Sequence, residues 1–318
     1  MAFQEGDLAE EATWQALVLI PKGEKYYRGI GLMEVIWKVV AVILNRRFTF
    51  SITYHDVLHG FREGRGTGTA TIEAKLIQQR AAMREEVLYV IFLDLTKLYG
   101  ALDRSRCLEI LEGYGVGPSA RRLLTTYWCR LTMVARAGGY YGEAFKGARG
   151  VTQGDPLSPT IFNVVVDAVV QHWIDGIVDE AEEKGETGWE GRHQSAVFYA
   201  DDGMVVSSYP ASIQGAFSAL VAIFDRVGLR TNFGKTVSMA CHPCRAGDGN
   251  RTEAAYSWRL TGLGGTYAER QRERVACGEC GAVIAAGSMS SHLMTRHGKA
   301  ATWRHLWAPP DKWGAQDV

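Results

Sequence analysis

Net charge is the first thing this 318-residue chain lacks: 35 lysines and arginines balance 35 aspartates and glutamates. Phosphate contacts need cations, so neutrality argues mildly against nucleic-acid binding. The balance is uneven, however. From Arg226 to Val318, 13 basic residues face 7 acidic ones, while Asp175 to Glu190 is acidic with a single lysine. A basic tail and an acidic insertion cancel in the total. Long apolar runs are also missing. None approaches the ~18–20 residues that cross a bilayer, and even Leu32 to Leu44 is broken by Glu34 and Lys38. No positively charged leader precedes an apolar stretch, which predicts an intracellular protein, nuclear or cytoplasmic, neither secreted nor membrane-spanning. No internal repeat or long low-complexity segment occurs. At 47% hydrophobic residues the chain can bury a substantial core, as one large domain or two unequal ones.

Four of the six cysteines form two C-x-x-C pairs, Cys241/Cys244 and Cys277/Cys280. Without a secretory signal that spacing indicates metal sites before disulfides. The Cys241 pair lacks a second half, and two buried thiols suit it equally well.

Periodicity predicts a mixed class with sheet hairpins and packed helices. Val18 to Ile20 is a short strand ending at Pro21-Lys22. Leu32, Ile36, Val39 and Ile43 recur at helical spacing, with Arg46 and Arg47 at the helix end. A Gly- and Arg-rich loop over 60–68 leads to a helix over 69–86. Val87 to Leu93 is a short continuous apolar run, hence a buried strand, with Asp94 at its end. Helices follow around Cys107 to Leu111 and from Ser119 to Trp128. Leu131 to Arg136 and Glu143 to Lys146 flank Gly138-Gly139 as a hairpin. Ser158-Pro159 starts another helix. Ala196 to Val206 forms two strands with Asp201-Asp202 at their turn, and Ile213 to Val227 an amphipathic helix stopped by Gly228.

The informative feature is a pair of acidic sites, each at the tip of apolar strand sequence. Any single Asp in a turn is ordinarily only a turn residue. Adjacent Asp residues between two apolar strands are harder to explain so. Three neighbouring carboxylates raise one another's pKa unless a cation sits among them, and hard oxygen ligands suit Mg²⁺. Two such ions, roughly 3.5–4 Å apart, stabilise attacking and leaving oxygens in phosphoryl transfer.

Phe198-Tyr199-Ala200-Asp201-Asp202 resembles the Y-x-D-D box of reverse transcriptases. Phe92 to Tyr99 resembles their first catalytic strand. Gly150-Val151-Thr152-Gln153-Gly154-Asp155-Pro156-Leu157-Ser158-Pro159 is similar to the Gln-Gly-x-x-x-Ser-Pro block, and Gly228 to Thr236 to the later Gly-Leu…Lys-Thr block. Leu19 to Gly23 with Arg28-Gly29-Ile30 resembles the fingers segment. These five blocks occur in the family's order over residues 17–240, closest to non-LTR retrotransposons and group II intron relatives. The resemblance implies an α+β right-hand polymerase fold, fingers and palm, with a ferredoxin-like palm sheet. It implies Asp94, Asp201 and Asp202 as catalytic ligands of two Mg²⁺ ions. Tyr99 matches the gate that crowds a sugar 2′-OH. Gln153 and Gly154 match the loop facing nucleotide and template, and Lys22 and Arg28 match triphosphate-binding cations. Lys235 matches a donor to leaving pyrophosphate or is an ordinary solvated lysine. Implied partners are an RNA template, a DNA primer and dNTPs. Three positions depart from the pattern: Leu98 replaces a small residue, Gly100 replaces a carboxylate, and Gly29 stands after Arg28 where proline is usual.

In the tail, Cys277, Cys280, His292 and His297 read C-x2-C-x11-H-x4-H, a spacing that can close a tetrahedral Zn²⁺ site. Arg270, Arg272 and Arg274 precede it and Arg296 and Lys299 lie at its end, charge suited to phosphate contact; protein docking is the rival role. The expected organisation is fingers and palm over 1–240, a connector or partial thumb over 241–275, a zinc-finger-like unit over 276–300 and a tail over 301–318. The expected function is RNA-directed DNA synthesis by a retroelement enzyme. The alternative is a degenerate element copy that binds nucleic acid without polymerising. No endonuclease or RNase H pattern is visible.

Overall fold

The computed structural model describes residues 8–22, 26–96, 98–137, 139–183, 196–208 and 210–241, with two short strands at 274–276 and 283–285. In chain order the elements are β1 (Trp14–Pro21), β2 (Tyr27–Met33), α1 (Val35–Ser51), α2 (Thr67–Met83), β3 (Leu88–Thr96), α3 (Leu98–Ala101), α4 (Arg104–Gly113), α5 (Pro118–Arg130), β4 (Thr132–Ala137) and β5 (Tyr140–Lys146). Then come α6 (Ser158–Glu183), β6 (Ala196–Tyr199), β7 (Asp202–Ser207), α7 (Pro210–Arg226), β8 (Arg230–Thr231), β9 (Val237–Cys241), β10 (Arg274–Ala276) and β11 (Val283–Ala285).

β3 is the centre of the main sheet. It pairs antiparallel with β7 on one side and with β9 and, further on, β8 on the other, while β6 pairs with β7. The spatial order β6-β7-β3-β9, with all neighbours antiparallel, is that of a ferredoxin-like split β-α-β sheet. A second sheet runs β2-β1-β4-β5, with β1 and β4 parallel. The β4–β5 hairpin forms as expected, closing with Ala137 opposite Tyr140. α7 ends in a Schellman closure at Gly228: Leu229 N–H donates to Phe224 and Gly228 N–H to Asp225.

The long apolar α6 lies in the core, burying Val164, Val165, Val166, Val169, Val170 and Trp173. One face of β3 is buried through Ile91, Leu93 and Leu95 and the other at Leu88 and Val90, so the first half of the strand runs apolar without alternation. Ile91, Leu93 and Leu95 join the main core, while Leu88 and Val90 pack with Ile77 and Ala81 of α2.

The expected first helix is corrected in extent and in face: α1 runs past Arg46 and Arg47 to Ser51. Leu32 belongs to β2, and Ile36, Val39 and Ile43 lie on the exposed side of α1. The buried side is Trp37, Val40, Ala41, Leu44 and Phe48. The helix is apolar all round, so periodicity does not choose a face.

Candidate active site

The cross-strand register builds the site. Val90 faces Val206, Phe92 faces Met204, and Asp94 faces Asp202. These residues share one face of the sheet because side chains alternate along a strand. α2 covers the Val90 end. Towards Asp94 the cover runs out: Phe92 is 42% exposed and Asp202 open to solvent. Tyr199 of β6 lies opposite Asp202. The same face therefore changes from apolar cluster to carboxylates within four residues.

Only Ala200 and Asp201 separate β6 from β7. Ala200 has φ +53°, a conformation that costs an L-residue about 1–2 kcal/mol. Asp202 directly opposes Asp94, a distance at which like charges repel. Burial, then Asp201, then Asp94 push the Asp202 carboxyl above the ordinary aspartate range, and Lys235 opposes the shift.

Asp94 is held from the β8 side. Asn232 Nδ2 donates to Asp94 Oδ2 at 2.9 Å, and Asn232 N–H to the Asp94 carbonyl at 2.7 Å. Lys235 Nζ stands 3.5 Å from the same Oδ2. Asn232 was not among the residues the sequence singled out, although it lies inside the Gly228–Thr236 block. Its double engagement of Asp94 needs the fold to be seen.

Among the described residues, no three Asp, Glu, His or Cys side chains converge to hold an ion. The donor set, carboxylate oxygens of Asp94, Asp201 and Asp202, suits a hard divalent cation.

Around this row, Tyr99 is half-buried and tilted against Phe162, ring centroids 5.6 Å apart. Burial and then the charge of Asp201 raise its hydroxyl pKa. Val151 N–H donates to the Tyr99 carbonyl at 2.6 Å, tying the 150–154 loop to it. Gly31 N–H donates to the Gln153 carbonyl at 2.7 Å. Gly154 has φ +109°, and a Cβ there would meet the Gly31 carbonyl at 2.6 Å. Its bare backbone thus serves the docking of this loop onto β2. The next residue, Asp155, is buried and accepts from Trp37 Nε1 at 2.8 Å.

Lys22 and Arg28 are exposed at the turn end of the β1–β2 hairpin, where Arg28 pairs with Ile20. Of the departures, Gly100 sits in α3 with open space where a side chain would be. Cys277, Cys280, His292 and His297, like Cys244, lie outside the described residues. Cys241 is half-buried at the end of β9.

Residues 20–266 match the reverse transcriptase (RNA-dependent DNA polymerase) family, and the chain belongs to it. It is 27% identical over 172 residues to the Pol polyprotein of the type-2 retrotransposable element R2DM of Drosophila melanogaster, covering 52% of this chain and 16% of that one. It is 24% identical over 242 residues to an R2 element polyprotein of Popillia japonica, covering 74% and 31%. The chain thus spans less than a third of these relatives. Its fold is shared with Candida tropicalis telomerase lacking its C-terminal domain, at a TM-score of 0.54 and 16% identity over 78% of this chain and 53% of that one. Among the described residues no helix is long and apolar enough to cross a membrane.

Proposed function

We propose that this chain carries the polymerising site of a retroelement RNA-directed DNA polymerase of the R2, non-LTR kind. The observation that carries the reading is Asp94 opposite Asp202 at the open end of the sheet, with Asp201 in the strained turn beside them. Fingers and palm correspond to the β2-β1-β4-β5 and β6-β7-β3-β9 sheets.

In the reaction a primer 3′-OH attacks the α-phosphate of a dNTP, a new P–O bond forms, and pyrophosphate leaves. Asp94, Asp201 and Asp202 would hold Mg²⁺, which when bound supplies charge stabilisation to phosphoryl transfer. Lys22 and Arg28 offer cations to the triphosphate. Gln153 and Gly154, pinned to Gly31, line the nucleotide and template side. Lys235, whose ammonium stands 3.5 Å from Asp94 Oδ2, would offer a cation to leaving pyrophosphate. The test is primer extension by the purified chain on an RNA template with dNTPs and Mg²⁺. Extension is expected; template binding without extension would identify a degenerate copy.

Tyr99 is assigned to sugar discrimination, since a half-buried ring beside Asp201 can crowd a 2′-OH. Tyr99→Ala is expected to raise rNTP relative to dNTP incorporation by about tenfold or more, the size of an opened steric contact. An unchanged ratio removes Tyr99 from this role.

We also assign one Zn²⁺ to Cys277, Cys280, His292 and His297. Ala276 pairs with Val283 across β10 and β11, so the strands flanking the cysteine pair in sequence come together, which supports a finger hairpin. Metal analysis of the full chain is expected to find about one zinc per chain, lost in Cys277→Ser. Equal zinc in both would make the spacing coincidental.

A further inference from the structure

Strain at a turn residue persists only where its surroundings over-determine it, and Ala200 is such a residue. The segment 57–62, between α1 and α2, meets it from beyond the edge of the sheet. Phe198 N–H donates to the Val57 carbonyl and His59 N–H to the Phe198 carbonyl, each at 2.8 Å. Leu58 therefore runs parallel beside Phe198. The next residue, Gly60, is buried against the backbone of Tyr199 and Ala200. A Cβ on Gly60 would lie 2.5 Å from the Ala200 nitrogen and 3.3 Å from its Cα. Those are backbone atoms, so no rotamer change relieves the clash.

The segment is fastened on its own account. Arg62 Nη1 donates to the carbonyls of His55 and Leu58, at 2.7 and 2.8 Å. His59 Nδ1 and Thr69 Oγ1 are 2.9 Å apart. His55 N–H donates to Asp167 Oδ1 at 2.7 Å. Asp167, wholly buried on α6, also accepts from Tyr114 Oη at 2.5 Å and Gln171 Nε2 at 2.7 Å. The support under Ala200 thus reaches back into the core.

We propose that 57–62 is a brace and Gly60 a positioning residue. Its contact with the Ala200 backbone sets where the Asp201 carboxylate stands relative to Asp94. This assignment rests on the polymerase reading of those carboxylates.

The experiment is a double-mutant cycle in the full chain. Gly60→Ala is expected to lower kcat by about tenfold or more, as sub-ångström misplacement does. Template–primer Kd should stay within about threefold. Ala200→Gly releases the strained φ and lets the turn yield to the added methyl. In that background Gly60→Ala is expected to cost less than about threefold. Wild-type kcat in Gly60→Ala, or equal losses in both backgrounds, overturns the proposal. Should Gly60→Ala not fold, Arg62→Gln frees the two carbonyls without a clash. It should lower kcat with template–primer Kd unchanged; unaltered kcat overturns the brace. Hydrogen exchange at the Phe198 amide, which donates into the brace, reads it without catalysis. Exchange should quicken about tenfold in either variant, and unchanged exchange overturns the brace. If wild type extends no primer but exchange behaves as stated, the polymerase reading fails and the brace stands.

Discussion

Asp94→Ala is expected to reduce kcat for primer extension by about 10³-fold, or ~4 kcal/mol of barrier, with little change in template–primer affinity. Asp94 lies opposite Asp202 on the one stretch of the sheet face that α2 leaves open. Removing it deletes a carboxylate where charge must be neutralised during phosphoryl transfer. The fold should tolerate the change. Asn232 loses a side-chain acceptor, a net cost of about 1 kcal/mol, while Asp202 loses a repelling neighbour. The two effects oppose, so the thermal midpoint should move by only a few degrees, about one kcal/mol's worth. Single-turnover extension beside a filter-binding titration separates chemistry from binding. A variant retaining more than about a tenth of wild-type kcat would remove Asp94 from the site.

The largest effect on stability is expected at Trp37→Ala. Trp37 is 1% exposed, stacks on Tyr127 with ring planes 6° apart, and donates its indole N–H to the buried Asp155. Truncating a buried Trp costs about 3–5 kcal/mol through lost contacts and cavity. Leaving Asp155 short of a donor adds roughly 1–3 kcal/mol. The sum is a large fraction of the roughly 5–15 kcal/mol that holds a typical domain together. Trp37→Phe narrows the comparison, since it keeps a ring in the site and loses the donor with only part of the indole's volume. Burial already holds the Asp155 carboxyl above the ordinary aspartate range, with the Trp37 bond pulling the other way. Without that bond its pKa rises further. A carboxyl raised in the folded state binds its proton more tightly there than in the unfolded chain. Stability therefore falls as pH climbs from the ordinary aspartate value near 4 through the raised one. Urea denaturation across that window should show a steeper fall for Trp37→Phe than for wild type. Parallel curves would mean that the indole bond does not govern Asp155.

The sequence exposed the carboxylate-bearing strand tips because their signal is local: apolar runs ending in Asp94 and in Asp201-Asp202 need no knowledge of partners. The β4–β5 hairpin and the stop at Gly228 were legible for the same reason, a turn or cap written in a few adjacent residues. The orientation of α1 was not. Val39 and Val40 are equally apolar, and only the position of Tyr127 and Asp155 decides that Trp37 turns inward. Asn232 and Gly60 were missed because their importance lies in what approaches them across more than a hundred residues of chain. The sequence offered Gly154 as part of a loop facing nucleotide and template; that its backbone lies against Gly31 needs the fold to be seen.

The register of β3 also sets how the coding sequence can change. Substitutions at Leu88 or Val90 are graded losses of packing. Deleting a single codon between 88 and 93 is different in kind, because one residue's slip exchanges the two faces of a strand. Asp94 would then point where Leu93 now packs, and a leucine would stand opposite Asp202. In-frame indels in this strand should therefore be all-or-none for both fold and site, while point changes beside them accumulate.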